Sequence, residues 1–115
     1  MPLTPTQILE ITQAGEAFLE KRRPPEEVRA NLDLGYRIDG QSVFVFGLRP
    51  NWGNPTETME SPVAKTTYVA AKKHWRVFWL RSNLKWYPYD PEPTVETIGD
   101  FFDVVNHDNH ACFFG

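Results

Sequence analysis

The sequence predicts an α+β fold in which an antiparallel sheet of four or five strands packs against an N-terminal and a C-terminal helix. Three observations support it: helix-type spacing of apolar residues before Pro24, alternating apolar residues and turn signals from Leu34 to Tyr87, and a second helix-type stretch after Thr94. Because the strands follow one another through short turns, we expect a local, meander-like strand order.

The composition is typical of a globular protein. A chain of 115 residues falls within the usual range for one domain, so we predict a single domain over residues 1–115. No apolar run approaches the roughly 20 residues that span a bilayer, and the N-terminus lacks the layout of a secretion signal. The single cysteine, Cys112, excludes an intramolecular disulfide and agrees with a reducing compartment. We therefore expect a cytoplasmic protein with no membrane partner.

The N-terminal segment carries the signals of a helix start. Thr4 precedes Pro5, and Gln7 follows Thr4 by three positions, which is a capping-box arrangement with proline at the first helical position. Apolar residues then recur at intervals of three and four before a stop at Pro24, and these are Ile8, Ile11, Phe18 and Leu19. A short second helix is predicted from Pro25, because proline and acidic residues favour a first turn, and it would carry Val28 and Leu32.

A hairpin is predicted next. Leu34, Tyr36 and Ile38 alternate before Asp39-Gly40, a dipeptide suited to the positive backbone angles of a tight turn. The return strand runs from Ser42 to Leu48.

The return strand is apolar on both sides. Val43 and Val45 face one way, whereas Phe44, Phe46 and Leu48 face the other. Helices can cover one side only. We expect the other side to meet the C-terminal segment, a long loop or a second subunit.

The segment from Pro50 to Ser61 is rich in turn-forming residues, so we predict an exposed loop anchored by Trp52. Its length makes it a candidate functional loop. Two strands, Val63 to Ala71 and Trp75 to Arg81, then form a second hairpin, and a short strand follows from Leu84 to Tyr87.

The C-terminal helix is predicted after a proline-rich stop to the sheet. Thr94 can cap it, and its apolar residues are Val95, Ile98, Phe101, Phe102 and Val105.

The second hairpin suggests an anion site. A three-residue turn over Lys72 to His74 would place Lys65 opposite Arg81. Like charges directly opposite each other destabilise a sheet unless an anion lies beside them, and Arg49 and Lys85 are further donors for such an anion. The alternative is an internal counterion from Glu57, Glu60 or the acidic C-terminal segment.

Residues 49–89 carry seven basic and two acidic side chains together with all four tryptophans. Nucleic-acid bases stack on such rings while cations hold the phosphate backbone. The opposing interpretation is that the rings fill the core, because each offers a large area to bury. The tryptophans are Trp52, Trp75, Trp79 and Trp86.

Signals of catalysis are scarce. His107, His110 and Cys112 are weak candidates for metal ligands, because the chain offers no second Cys/His pair to complete a zinc site. The sequence contains no P-loop, no dinucleotide fingerprint and no nucleophile elbow. We predict no cofactor and favour a non-enzymatic role.

Several short motifs occur together in the chain: Arg49-Pro50-x-Trp52, Pro62-x-Ala64-Lys65-x-x-Tyr68, Trp75-x-Val77-Phe78-Trp79-x-Arg81, Leu84-Lys85-Trp86 and Cys112-Phe113-Phe114-Gly115. Together they resemble the small bacterial proteins grouped as domain of unknown function 3024 (DUF3024), and the resemblance spans roughly residues 32–115. The family carries no assigned activity. The resemblance therefore implies a bacterial, cytoplasmic protein, draws attention to the basic residues within the motifs and supplies no mechanism.

The leading functional prediction is a non-enzymatic module that binds a phosphate-bearing ligand or nucleic acid on a basic, tryptophan-rich sheet surface. Its candidate binding residues are Arg49, Trp52, Lys65, Trp79, Arg81 and Lys85. The first alternative is a protein-interaction or homodimer module, suggested by the strand that is apolar on both sides. The second is a small metal-dependent enzyme that uses the C-terminal histidines and Cys112.

Overall fold

The computed structural model describes residues 3–28, 32–51, 53–110 and 112–114. These residues form two α-helices and an antiparallel sheet, so the predicted α+β class is confirmed. In chain order the elements are α1 (Pro5–Arg22), a 3-10 turn (Glu26–Val28), β1 (Asp33–Asp39), β2 (Ser42–Asn51), β3 (Asn54–Val69), β4 (His74–Leu80), β5 (Trp86–Pro88), β6 (Thr94–Val95) and α2 (Ile98–His107).

The strands follow the predicted meander. Their order is β1-β2-β3-β4-β5, and every neighbouring pair is antiparallel. β6 was not predicted: it pairs with β4 through Trp75 and Arg76, on the same edge that β5 uses further along. Because this pairing satisfies the backbone of Thr94 and Val95, these two residues are extended and not helical.

Helix α1 begins with the predicted capping box. The Thr4 hydroxyl accepts a hydrogen bond from the Gln7 backbone N–H at 3.2 Å, and the Gln7 side chain accepts one from the Thr4 backbone N–H at 2.8 Å. The helix ends at Arg22. Arg23 is extended, as expected for a residue that precedes proline.

The predicted second helix is reduced to the single 3-10 turn. Val28 and Leu32 are both exposed, so this segment has no apolar stripe to bury against the sheet. Residues 29–31 of the prediction lie outside the described residues.

The first hairpin is tight, as predicted, although its turn lies one residue later. Asp39 pairs with Ser42, which leaves Gly40 and Gln41 as the central residues. Gly40 has a φ of 60°, a conformation that favours glycine. Asp39 belongs to the strand.

The predicted loop from Pro50 to Ser61 is wrong. β2 and β3 continue to pair beyond Leu48, and the pairing reaches Asn51 and Asn54. We call residues 49–51 and 53–62 the arm. The turn-forming residues of this segment lie at the tip of the arm and where its strand pairing is irregular, since the register shifts after Pro50. Trp52, the expected anchor, lies outside the described residues.

The second hairpin has a four-residue turn over residues 70–73, because Val69 pairs with His74. Lys73 takes a φ of 53° within this turn. In the resulting register Lys65 lies opposite Phe78, so the predicted pairing of Lys65 with Arg81 is wrong. An odd shift moves each side chain to the other face, and Arg81 therefore belongs to the face opposite that of Lys65.

Two boundaries near the C-terminus also differ from prediction. Leu84 lies in a turn with a φ of 63° and is 79% exposed, so the strand begins only at Trp86. Helix α2 is capped by Thr97 and not by Thr94, because the Thr97 hydroxyl accepts a hydrogen bond from the Asp100 N–H at 3.1 Å.

Both helices pack on one face of the sheet. The Phe18 ring of α1 lies 5.2 Å from the Phe102 ring of α2, and Tyr36 of β1 meets Phe102 edge-on at 6.1 Å. The sheet contributes Val43, Val45, Ala64, Trp75 and Val77 to this core. Among the described residues, no helix combines the length and apolar character needed to cross a membrane.

Candidate ligand-binding face of the sheet

Alternate residues of β2 lie in two different environments. Val43 and Val45 are completely buried beneath the helices, whereas Phe44, Phe46 and Leu48 are half-buried on the opposite face. This arrangement confirms the predicted two-sided strand. Since both described helices pack on the valine side, the phenylalanine side is the face that carries no helix.

We call this side of the sheet the open face. One row of directly paired residues crosses four strands of it. Arg37 of β1 lies opposite Phe44 of β2, Phe44 lies opposite Lys65 of β3, and Lys65 lies opposite Phe78 of β4. Cations and aromatic rings therefore alternate across the sheet.

The cations of the open face rest on the rings. The Lys65 ammonium lies 5.3 Å from the Phe78 ring centre, 5.7 Å from that of Phe44 and 6.0 Å from that of Trp86. The Arg76 guanidinium lies 4.9 Å from the Phe78 ring centre. These distances are within the range of cation–π attraction, which holds cations and rings in one layer.

Arg37 completes the layer at the β1 edge. Its guanidinium lies 5.4 Å from the ring centres of both Phe44 and Phe46. It also makes an ion pair with Glu60 of the arm, with the closest atoms 2.7 Å apart.

Two of these cations keep their charge unneutralised. Lys65 and Arg76 have no ion pair with a carboxylate anywhere in residues 3–28, 32–51, 53–110 and 112–114. Of the internal counterions that the sequence allowed, Glu60 serves Arg37 and leaves Lys65 unpaired. The open face therefore presents positive charge beside aromatic rings, although the chain as a whole carries a formal net charge of −3.

The other residues of the predicted site do not join Lys65. Arg81 lies over Trp79 and Tyr87, at 5.5 Å and 4.8 Å from their ring centres. Trp79 pairs with the buried Ala64, which places this group on the helix-covered face near the β5 edge. Arg81 and Lys65 are thus separated by the sheet itself.

The remaining two described members of the predicted site are also apart from Lys65. Arg49 pairs with Met59 in the arm. Lys85 lies in the exposed turn after β4, where its backbone N–H donates to the Asn83 side chain at 3.1 Å. Trp52 lies outside the described residues.

The open face is richer in phenylalanine than in tryptophan. Trp75 is buried in the core and Trp79 lies on the helix-covered face, so Trp86 is the one described tryptophan on the open face. The residues missed from the sequence are Arg37, Phe44, Phe46, Arg76 and Phe78. The alternation along β2 was the available signal for the two phenylalanines.

The C-terminal histidines and cysteine do not converge on a metal site. The His107 Nδ1 atom contacts the Asp103 carbonyl at 2.7 Å, and the Cys112 thiol donates to the His110 carbonyl at 3.7 Å. Burial and the nearby Asp108 carboxylate raise the pKa of the Cys112 thiol above its ordinary value. The described residues contain no group of three or more metal-ligating side chains with suitable geometry.

Asp108 instead organises the end of the chain. It has a φ of 45° after the last turn of α2. Its carboxylate accepts backbone hydrogen bonds from Phe113 at 3.0 Å and Phe114 at 2.9 Å. These bonds direct the C-terminal segment back onto the helix side, where Phe113 packs against Tyr89 and Phe114 stacks on Arg22.

Comparison with known proteins places the chain in a family. Comparison with the curated proteins and with the solved structures gave no match. A family model described as a domain of unknown function matches residues 3–115, and thus extends over α1 as well as the motif-bearing part of the chain. The chain therefore belongs to the DUF3024 family.

Proposed function

We propose that this protein is a cytoplasmic, non-enzymatic module that binds single-stranded nucleic acid on the open face. The observation that carries the proposal is the row of alternating cations and rings, Arg37, Phe44, Lys65 and Phe78, on the face without helices. Single strands expose base faces and phosphates together, and this row offers partners for both.

The rings are suited to receive bases. Phe44 and Phe46 lie two residues apart on one strand, which separates them by about 7 Å along the sheet. Both are half-buried, so neighbouring side chains hold their orientation while part of each side chain stays accessible. Stacking on such rings accepts every base and favours binding without sequence preference.

The cations do not block this use of the rings. A cation–π contact at an exposed position contributes about 0.5–1 kcal/mol. A base stacked on an aromatic side chain contributes about 1–3 kcal/mol. A base that stacks on one ring displaces Lys65 from that ring alone, so one cation–π contact is exchanged for one stacked base. The long, flexible Lys65 side chain can then pair with the adjoining phosphate.

A homodimer through the same face is the second candidate. Its specific support is that the described C-terminal segment packs on the helix side and so does not cover Phe44 and Phe46. A two-fold dimer, however, places like charges from the two copies in one interface. Burying unpaired cations such as Lys65 and Arg76 is costly, and this cost favours an anionic ligand over a second copy.

A binding titration tests the proposal. The protein is added to a fluorescein-labelled oligothymidylate of about twelve nucleotides, and fluorescence anisotropy is measured at low and at moderate salt. Phe44→Leu and Phe78→Leu remove a stacking ring and keep an apolar side chain. We expect each to weaken binding at least about fivefold. Phe114→Leu is the matched control, because Phe114 is also half-buried and cation-stacked but lies on the helix side.

Two results would contradict nucleic-acid binding on this face. One is the absence of any anisotropy change at low salt, where phosphate contacts are strongest. The other is equal loss of affinity in all three leucine variants. Light scattering on the same proteins separates the second candidate, since a dimer that Phe44→Leu dissociates would assign the face to self-association.

A further inference from the structure

Arg37 and Glu60 form a contact at the edge of the open face. The Arg37 Nη1 atom donates to both carboxylate oxygens of Glu60, at 2.7 Å and 2.8 Å. Arg37 belongs to β1 and Glu60 to the arm, and β2 lies between them. The guanidinium crosses this strand next to Phe46, whose ring centre is 5.4 Å away.

The chemistry of this pair matches that of a phosphate contact. A guanidinium group binds a carboxylate and a phosphate through the same planar donors. The Glu60 carboxylate therefore accepts from a guanidinium group that is equally suited to a phosphate group. A ligand can reach this ion pair and displace Glu60, because the side chains of Arg37 and Glu60 are 52% and 45% exposed.

Exposure also sets the strength of the pair. Ion pairs between exposed side chains are weak, since water screens the charges and two flexible side chains must be held in place. A nucleic acid can stack a base on Phe44 and place a phosphate beside Lys65 at the same time. Its next phosphate then competes at Arg37 with a single, weakly held carboxylate. The exchange is favourable for such a ligand and unfavourable for a free anion that lacks the stacking contacts.

We propose that Glu60 is an internal competitor for an anion subsite at Arg37, and that binding replaces its carboxylate with a phosphate of the nucleic acid. The inference rests on the proposed function for the identity of the ligand. In this inference Glu60 lowers the affinity of Arg37 for every anion. Small anions, which lack the stacking contacts, are therefore excluded more strongly than nucleic acid. Asp39, two residues from Arg37 on the same side of β1, lies beside the turn and makes no ion pair within the described part of the chain.

Glu60→Gln tests the inference with the same labelled oligothymidylate. We expect binding about two- to fivefold tighter than wild type, the range that corresponds to one exposed ion pair. Glu57→Gln is the matched control: it makes the same charge change three residues away, and Glu57 has no ion pair among the described residues. Its binding should tighten by less than that of Glu60→Gln.

An Arg37→Gln background separates competition from general charge. If Glu60 acts by occupying Arg37, the gain from Glu60→Gln disappears once Arg37 is replaced. Thermal melts followed by circular dichroism identify any variant that loses the fold, and the comparison is then repeated with Glu60→Ala.

The outcomes distinguish this inference from the proposed function. Equal gains from Glu60→Gln and Glu57→Gln, or weaker binding by Glu60→Gln, overturn the competitor role while the leucine variants still report on the open face. Binding by Glu60→Gln but not by wild type supports the inference in its strongest form. Absence of binding by both folded proteins overturns the inference and the proposed function together.

Discussion

Lys65 lies directly opposite Phe78 in the register of β3 and β4, and its ammonium is 5.3 Å from the centre of the Phe78 ring. The same ammonium approaches Phe44 and Trp86, so three aromatic side chains surround a cation that has no ion pair among the described residues. Because Lys65 lies near rings from β2, β4 and β5, it contributes both charge and packing contacts to the open face.

Lys65→Met should separate these two contributions. Methionine keeps an apolar stem against the rings and removes the charge. We expect the melting temperature to change little. Affinity for a labelled oligonucleotide should fall several-fold, and the slope of log K against log salt should decrease by about 1. Lys21→Met, on the helix side, is the control, and an equal loss in both variants would point to net charge alone.

Gly15→Ala should destabilise the protein, contrary to the usual effect of alanine in a helix. A Cβ atom at position 15 would lie 2.7 Å from ring carbons of Tyr36, so α1 or Tyr36 must move. We expect a loss of about 1–3 kcal/mol in the free energy of unfolding, measured by urea denaturation. At Gly99 in α2 the nearest heavy atom, the Thr97 hydroxyl, is 3.7 Å away. Gly99→Ala should therefore stabilise by up to about 1 kcal/mol, and similar effects at both positions would refute the packing argument.

Thr4→Ala should remove the capping box of α1. Its hydroxyl satisfies the Gln7 N–H, which otherwise has no partner within the helix. The expected loss is about 1 kcal/mol in the free energy of unfolding. Thr6→Ala is the control, because Thr6 lies exposed in the first turn and is not the cap. A larger effect at Thr6 would show that threonine content, and not capping, matters here.

The stability of the protein should fall at alkaline pH through two tyrosines. Burial is the main cause that raises the pKa of Tyr89 above 10.0, and the nearby Cys112, Asp108 and Glu92 raise it further. Burial and the hydrogen bond to Glu16 raise the pKa of Tyr36 in the same direction. The folded state therefore holds these protons more tightly than the unfolded chain does.

The sign follows from the direction of these pKa shifts. The stabilising contribution is fully present below the ordinary tyrosine pKa of 10.0 and is lost as pH rises above it. In the double variant Tyr36→Phe, Tyr89→Phe, the free energy of unfolding should decline less steeply above that pH than in wild type. Urea denaturation over a neutral-to-alkaline series measures this, and parallel curves would contradict it. The difference in the free energy of unfolding between wild type and the double variant at neutral pH is subtracted first, because it reflects the loss of the two hydroxyl groups and not their titration.

Local features of the fold were predictable because their causes lie within a few residues. The capping box joins Thr4 and Gln7 inside one helical turn. The turn at Gly40 depends on a backbone conformation that glycine adopts readily. The opposite directions of Val43 and Phe44 follow from the pleat of any strand. None of these depends on distant parts of the chain.

The candidate site was harder to predict because it depends on register. The turn over residues 70–73 contains no glycine or asparagine to indicate its length, and Lys73 takes the left-handed conformation in it. One residue more or fewer in a turn changes which side chains share a face. The predicted group of Lys65 with Arg81 was lost in this way, and the group of Lys65 with Phe44 and Phe78 appeared.

The sequence by itself determined that β2 has a valine side and a phenylalanine side, because side chains alternate along an extended backbone. Only the tertiary structure decided which side the helices cover. Phe18 and Phe102 meet each other in the core that also contains Val43 and Val45, so both helices bury their apolar stripes in one core. Phe44 is left on the other side with Arg37 and Lys65, since contacts between helices that are distant in sequence, and not the pattern of any single strand, select the buried face.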